Sequence, residues 1–333
     1  MIQERVLVVG SNSFSGSHFV SGALKRGYEV IGVSRSPEPD TVFLPYRWGE
    51  SKPSAGFRFY QYDLNKHLDQ LMALIRDLKI PYVVNFAAQS MVGQSWEYPD
   101  HWFKTNVVST INFHNALRQC SFLEKYLHVS TPEVYGSCEG LVAENISYNP
   151  STPYAVSRAA ADMSLKTFVD NYNFPVVFTR AANVYGPGQQ LYRIIPRAVL
   201  FFLTGRTLEL HGGGASVRSF IHINDVVDGT LDAMAHGDPG EIFHLSTREN
   251  ISIRSLVMRI AERVGVDFDN FVKVVSDRPG KDSAYLLDSR LAEKRLGWRS
   301  RIDLDDGLDQ TIAWVRTHLE RLENQPLDYI HKA

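Results

Sequence analysis

The chain is predicted to be an α/β protein: a doubly wound parallel sheet carrying a smaller C-terminal lobe. Three observations predict it. Short apolar runs of strand length recur along the first half of the chain. Helical apolar spacing separates the later runs, and strands that alternate with helices form parallel sheets covered on both faces. After Asn183 this alternation loosens into glycine turns and two isolated helical patterns.

The first run, Arg5-Val6-Leu7-Val8-Val9-Gly10, is apolar throughout and ends in glycine, as a strand buried on both faces does. Phe14 to Arg26 reads as a helix and Tyr28 to Val33 as the next strand. Further strands are read at Phe57 to Tyr62, Tyr82 to Phe86, Tyr126 to Val129 and Pro175 to Thr179. Helices are read at Leu68 to Leu78, His101 to Cys120 and Tyr154 to Asn171. Ser36 to Gly56, with four prolines plus Tyr46 and Trp48, is long for an α/β connection. It is either a surface loop or a flap over a ligand or subunit contact. Helical patterns at Ile253 to Val264 and Leu304 to Leu322 place the smaller lobe over the C-terminal edge of the sheet, where such sheets bind ligands.

Composition narrows the class. The chain has 333 residues, 44% hydrophobic, with 35 basic and 37 acidic side chains. A net charge of −2 argues against a nucleic-acid binder. Two cysteines, Cys120 and Cys138, make no disulfide framework and suit a reducing compartment. With no long apolar run and no leader pattern, the expectation is a cytoplasmic protein without a membrane partner. His211 and His222 have no neighbouring cysteines or acids that complete a metal set, so no metal is expected.

Gly10-Ser11-Asn12-Ser13-Phe14-Ser15-Gly16 follows a strand and opens a helix. That context turns a weak glycine pattern into a dinucleotide loop, because pyrophosphate needs free N–H groups at a helix N-terminus. The fold expected is therefore Rossmann-type. Residues 1–185 and 223–250 would form the dinucleotide-binding domain, and 186–222 with 251–333 the second lobe. Ser13 stands where a middle glycine would give the closest approach. The second strand ends Gly32-Val33-Ser34-Arg35-Ser36 without an acid, so Arg35 favours a 2′-phosphate and NADP over NAD. Asp63, after the third strand, is placed to bond the adenine amino group or to cap a helix.

Tyr154-Ala155-Val156-Ser157-Arg158 puts a phenol and a cation one helical turn apart on one face. A neighbouring cation favours the phenolate, so Tyr154 is expected to exchange a hydroxyl proton near neutral pH.

Taken in order, these stretches resemble the extended short-chain dehydrogenase/reductases that act on nucleotide sugars, nearest to the NDP-hexose 4,6-dehydratases. The likeness is carried by Gly10 to Gly16, Asp63-Leu64, Asn85 to Ala88, Thr105 to Val107, Ser130 to Gly136, Tyr154 to Arg158, Arg180 to Gly188, Val217 to His222, Asp225 and Asp277 to Gly280. The resemblance implies oxidation of the sugar C4 hydroxyl, loss of the C5 proton and the C6 hydroxyl, and return of hydride to C6. It implies Thr131 and Tyr154 at C4, and Glu133 as the base at C5. It implies Gly10, Ser13, Phe14, Gly16, Arg35, Asp63, Leu64, Ala87, Tyr154 and Arg158 around the cofactor. Ser90 is expected at the hexose, and Asn183, Arg218 and Arg278 at the nucleoside diphosphate. Pairing through the helices His101 to Cys120 and Tyr154 to Asn171 would make a homodimer.

Two departures stand out. The dTDP-glucose dehydratases have an aspartate where this chain has Pro132, which carries no side-chain proton. The family's lysine is Arg158 here, which keeps the charge but will not bond a ribose as a compact ammonium does. Alternatives on the same scaffold are a sugar epimerase, a 5,6-dehydratase and a catalytically weak nucleotide-binding protein.

Overall fold

The computed structural model describes residues 4–49, 56–138, 140–276 and 286–333. Its centre is a seven-stranded parallel sheet. The strands are β1 (Arg5–Val9), β2 (Glu29–Ser34), β3 (Phe57–Gln61), β4 (Tyr82–Asn85), β5 (Lys125–Val129), β6 (Val176–Ala181) and β7 (Ile242–Leu245). They lie in the order β7-β6-β5-β4-β1-β2-β3, so the direction of winding reverses at β1. There β1 is held parallel on both sides, Val8 opposite Gly32 of β2 and Val84 of β4. Val6, Leu7 and Val8 are fully buried because helices cover both faces.

Those helices include α1 (Phe14–Lys25), α2 (Leu68–Leu78) and a composite α3. α3 runs Pro99–Trp102, then a π-helical stretch Phe103–Ser109, then Thr110–Leu117. The sequence reads α3 as one regular helix; the wider π turn inside it was not legible, and such turns favour functional sites. α4 (Pro153–Tyr172) starts one residue before the tyrosine expected to open it. Pro153 sits in its first turn, and the Thr152 hydroxyl accepts from the Ala155 N–H at 3.1 Å. A cap of this kind contributes about 1 kcal/mol.

After Asn183 come α5 (Ile194–Leu203), α6 (Ile223–His236), α7 (Ile253–Val264) and α8 (Leu304–Thr317). β7 was not named from the sequence, because its four residues include a fully buried polar one, His244. The pattern Leu304 to Leu322 is broken at His318, after which Leu319–Glu323 makes a separate turn. α5, α7 and α8 pack around a second apolar cluster that includes Leu200, Ile260 and Leu308.

The stretch 36–49 of the Ser36 to Gly56 loop is not a plain surface loop. Thr41–Phe43 and Pro45–Arg47 are short 3-10 turns. Val42 and Phe43 are buried in the second cluster, while Leu44 and Tyr46 are buried in the first, beside β1. One short segment thus ties the two cores together.

Candidate active site

Six of the expected cofactor residues, Gly10, Ser13, Arg35, Asp63, Leu64 and Ala87, lie in the loops that follow strands. A cavity of about 590 Å³ opens at the C-terminal ends of β1 to β4. Gly10, Asn12 and Ser13 floor it, Ser34 to Pro39 and Asp63 to Asn65 form one side, and Ala87 to Gln89 another. Tyr192 and a segment from Gln325 to Lys332 complete the lining.

The glycine turn fits a dinucleotide. Gly10 has φ +87°, and a Cβ there would lie 2.8 Å from the Ala87 nitrogen. A Cβ on Gly16 would lie 2.2 Å from the Gly10 carbonyl oxygen. Only glycine lets strand, turn and helix come this close. Ser13 is the N-cap of α1. Its hydroxyl accepts from the Gly16 N–H at 3.1 Å and donates to the Gly10 carbonyl at 2.7 Å. The side chain expected to narrow the approach is thus turned onto the loop's own backbone. Phe14 does not face the cavity; it is buried and meets His18 edge-on at 5.1 Å.

Leu64 and Ala87 line the cavity. Asp63 lines it as well, but its carboxylate caps the following turn, accepting from the Asn65 N–H at 2.9 Å. Arg35 also lines the cavity. Its Nη1 donates to the Lys332 carbonyl and to a main-chain oxygen of Ala333, each at 3.1 Å. Glu38, the nearest following acid, is occupied by Arg47 at 2.7 Å and by the Tyr46 hydroxyl at 2.9 Å.

At the end of β5, Thr131 caps the turn Pro132–Tyr135 by accepting from the Glu133 N–H at 3.3 Å. Pro132 opens that turn, a position whose missing N–H costs nothing. The turn brings Glu133 to Tyr154 on α4: the Thr131 hydroxyl hydrogen-bonds the phenol, and the Glu133 charge acts on it. The resemblance implied these three residues at one site, and the structure brings them near one another.

The expected acidity of Tyr154 is not found. Burial, and next the Glu133 charge, raise its pKa above the ordinary tyrosine value. Arg158, Thr131 and Arg193 pull the other way without reversing the shift. Arg193, exposed after Tyr192, was missed as a second cation for this phenol because nothing in its local spacing points there.

Arg158 also departs from its expected place at the cofactor. It is 2% exposed, and its Nη2 donates to the Val129 carbonyl and, at 3.2 Å, to His128 Nε2. The longer arginine reaches the end of β5, inside the sheet's cover. His128 is held well below its ordinary pKa by burial and by Arg158, so it is neutral. Because a guanidinium only donates, Nε2 must be the acceptor and the ring proton sits on Nδ1. Asp162 is fully buried nearby and takes Arg180 Nη2 at 2.9 Å and the Ser130 hydroxyl at 2.5 Å.

Ser90, Asn183 and Arg218 are not among the residues that line the cavity. Ser90 is exposed between β4 and the helix Val92–Glu97. Asn183 Nδ2 donates to the Ser219 carbonyl at 3.2 Å, and Arg218 Nη1 to the Val217 carbonyl at 2.8 Å. Arg278 lies outside the described residues. His222 caps α6 by accepting from the Asn224 N–H at 3.3 Å, a structural use. Gln89 was missed, and Asn106, inside the matching stretch Thr105 to Val107, was given no role. The Gln89 N–H donates to Asn106 Oδ1 at 2.8 Å, and Asn106 Nδ2 reaches Ser157 of α4 at 2.9 Å. The π turn of α3 presents Asn106, so no regular periodicity marks it.

The fold and this site define a Rossmann-type dinucleotide-binding protein with a tyrosine at the sheet's C-terminal edge, the architecture of the extended short-chain dehydrogenase/reductases. The GDP-mannose 4,6 dehydratase family model matches residues 7–311, and the chain belongs to that family of NDP-sugar dehydratases. It is 31% identical over 330 residues to the dTDP-D-glucose 4,6-dehydratase of Homo sapiens, covering 96% of this chain and 92% of the other. Among solved structures it resembles DesIV, a dTDP-glucose 4,6-dehydratase from Streptomyces venezuelae crystallised with NAD. That match has a TM-score of 0.87 and 32% identity, over 95% of this chain and 98% of that one. The dTDP-glucose 4,6-dehydratase of Bacillus anthracis, also in complex with NAD, gives a TM-score of 0.84 at 25% identity, over 95% and 98%.

Proposed function

We propose that the chain is a nucleotide-sugar 4,6-dehydratase that converts an NDP-hexose to its 4-keto-6-deoxy form. The observation that carries this reading is the grouping of Thr131, Glu133 and Tyr154 just past the end of β5, in the sheet whose β1 to β4 ends open the cavity with the dinucleotide turn. A bound nicotinamide dinucleotide supplies the hydride acceptor at C4 and the hydride donor at C6. Tyr154 takes the C4 hydroxyl proton, and the Thr131 hydroxyl orients that oxygen and supports the phenolate. Once C4 is a ketone the C5 proton is acidic, and Glu133 removes it. Pro132 offers no proton to the departing C6 hydroxyl, so a water or another side chain must supply one.

The sugar nucleotide is assigned to the lobe of residues 186–222 and 251–333, with Asn183, Arg218 and Arg278 toward its diphosphate. NADP is the proposed dinucleotide. Arg35 at the end of β2 supports it, as does the engagement of Glu38 elsewhere. A homodimer through α3 and α4 is supported by exposed apolar side chains on both, Val108, Val156 and Met163 among them. A chain with two cysteines, Cys120 and Cys138, suits a cytoplasmic setting.

The test is mass spectrometry of the protein incubated with dTDP-, UDP-, GDP- and CDP-hexoses in deuterated water. Loss of one water, deuterium at C5 and a ketone-reactive product are expected. Unchanged mass with a new isomer would make it an epimerase. Water loss without a ketone would make it a 5,6-dehydratase, and no turnover of any sugar a binding protein.

A further inference from the structure

Residues 325–333 are far from the glycine turn in sequence, yet they form a wall of the dinucleotide cavity. The wall is built, not draped. The His331 ring stacks on Trp102 with centroids 5.2 Å apart and on Tyr98 at 4.9 Å, and its Nε2 shares a hydrogen bond with His101 Nδ1 at 2.8 Å. Gln89, 1% exposed, donates through Nε2 to the Lys332 carbonyl at 2.6 Å. Asp328 pairs with Arg197 at 2.7 Å.

This anchoring delivers a charge to one place. The Lys332 Nζ lies 3.0 Å from the Ser36 hydroxyl, next to Arg35, whose Nη1 donates to the Lys332 carbonyl and to a main-chain oxygen of Ala333. Ser36 is fixed from below by Asn12 Nδ2, which donates to its carbonyl at 3.1 Å. The end of β2 is where a Rossmann fold meets the adenosine ribose 2′ position. Here that position is flanked by a guanidinium, an ammonium and a hydroxyl. Of the acids on the same loop, Glu38 is already paired with Arg47 and Asp40 with Arg321. The main-chain contacts use one Arg35 nitrogen out of a fork with five N–H donors. A 2′-hydroxyl asks for an acceptor; two cations and a hydroxyl donor ask for a phosphate.

We infer that Lys332, carried to the end of β2 by the anchored segment 325–333, is a specificity-determining residue that forms a 2′-phosphate subsite with Arg35 and Ser36. The inference rests on the dinucleotide reading above. Lys332 is a recognition residue and takes no part in the chemistry.

The test is isothermal titration calorimetry of NADP+ and NAD+ with the cofactor-stripped full chain and with Lys332→Ala, Lys332→Arg and Arg35→Ala variants. The wild type should bind NADP+ more tightly than NAD+. Lys332→Ala should weaken NADP+ about tenfold and leave NAD+ unchanged, and Lys332→Arg should restore most of the loss, since either cation bonds phosphate. Arg35→Ala should act in the same selective direction. A wild type that prefers NAD+, or a Lys332→Ala loss equal for both dinucleotides, overturns the subsite while leaving the dinucleotide reading intact. A wild type that binds neither removes that reading, and the subsite with it.

Discussion

Arg158 Nη2 donates to His128 Nε2 at 3.2 Å, so the cation one turn after Tyr154 is secured to β5 and acts on the phenol through its charge. In this geometry the arginine supports the phenolate without reaching into the cavity. Replacing it by methionine removes the charge at similar length and raises the tyrosine pKa further. The phenolate is the working base, so activity rises with pH through that pKa, and the acidic limb of kcat/KM should move up by about one unit. Arg158→Lys should move it less. A pH–rate profile that is unchanged in Arg158→Met would mean that Arg193 and Thr131 carry the effect.

Glu133→Gln keeps the turn Pro132–Tyr135, because the contact with Thr131 uses the backbone N–H. C4 oxidation should persist, seen as reduced dinucleotide in a single turnover, while deuterium exchange at C5 should fall by about two orders of magnitude or more. Exchange at the wild-type rate would remove Glu133 as the C5 base.

Asp162 and Arg180 are both fully buried and bond at 2.9 Å. Arg180 also lies against the rings of Tyr135 and Tyr148 and hydrogen-bonds both hydroxyls. Asp162→Asn leaves the guanidinium buried without its counter-charge, which costs about 3–5 kcal/mol. Urea unfolding should show the midpoint falling accordingly. A loss below about 1 kcal/mol would mean that the tyrosines satisfy Arg180 without the carboxylate.

Four buried histidines make a pH prediction. Burial lowers His18 and His244 to about 3, and His114 and His222 to about 4. Their unfolded value is about 6.5, so between that pH and the folded value the unfolded chain binds more protons. Their contribution to stability is therefore complete above about pH 6.5 and is lost as pH falls toward 4. Each group contributes a slope of up to about 1.4 kcal/mol per pH unit in that window. The melting temperature should drop steadily from pH 7 to pH 5. A flat profile there would show that these rings titrate normally.

What the sequence by itself determined was most of the local structure, though not the π turn of α3 or β7. Alternating apolar runs and helical spacing determined the sheet from β1 to β6, since buried parallel strands and amphipathic helices leave their period in the chain. Gly10 and Gly16 marked the dinucleotide turn because no side chain fits there. Tyr154 was marked by its one-turn spacing from Arg158, whereas Thr131 and Glu133 were named only through the family resemblance.

The tertiary structure decided what depends on distant partners. It turned Arg158 onto His128 and the Val129 carbonyl, and so took it out of the cavity. It left Tyr154 less acidic than its spacing from a cation implied, because burial and Glu133 outweigh one guanidinium. It used Val42 to Tyr46 to join two cores, and it set Lys332 beside Ser36, nearly the whole chain away. A side chain's charge is written in the sequence, but its burial and its neighbours come from contacts between remote segments, and those govern both pKa and specificity.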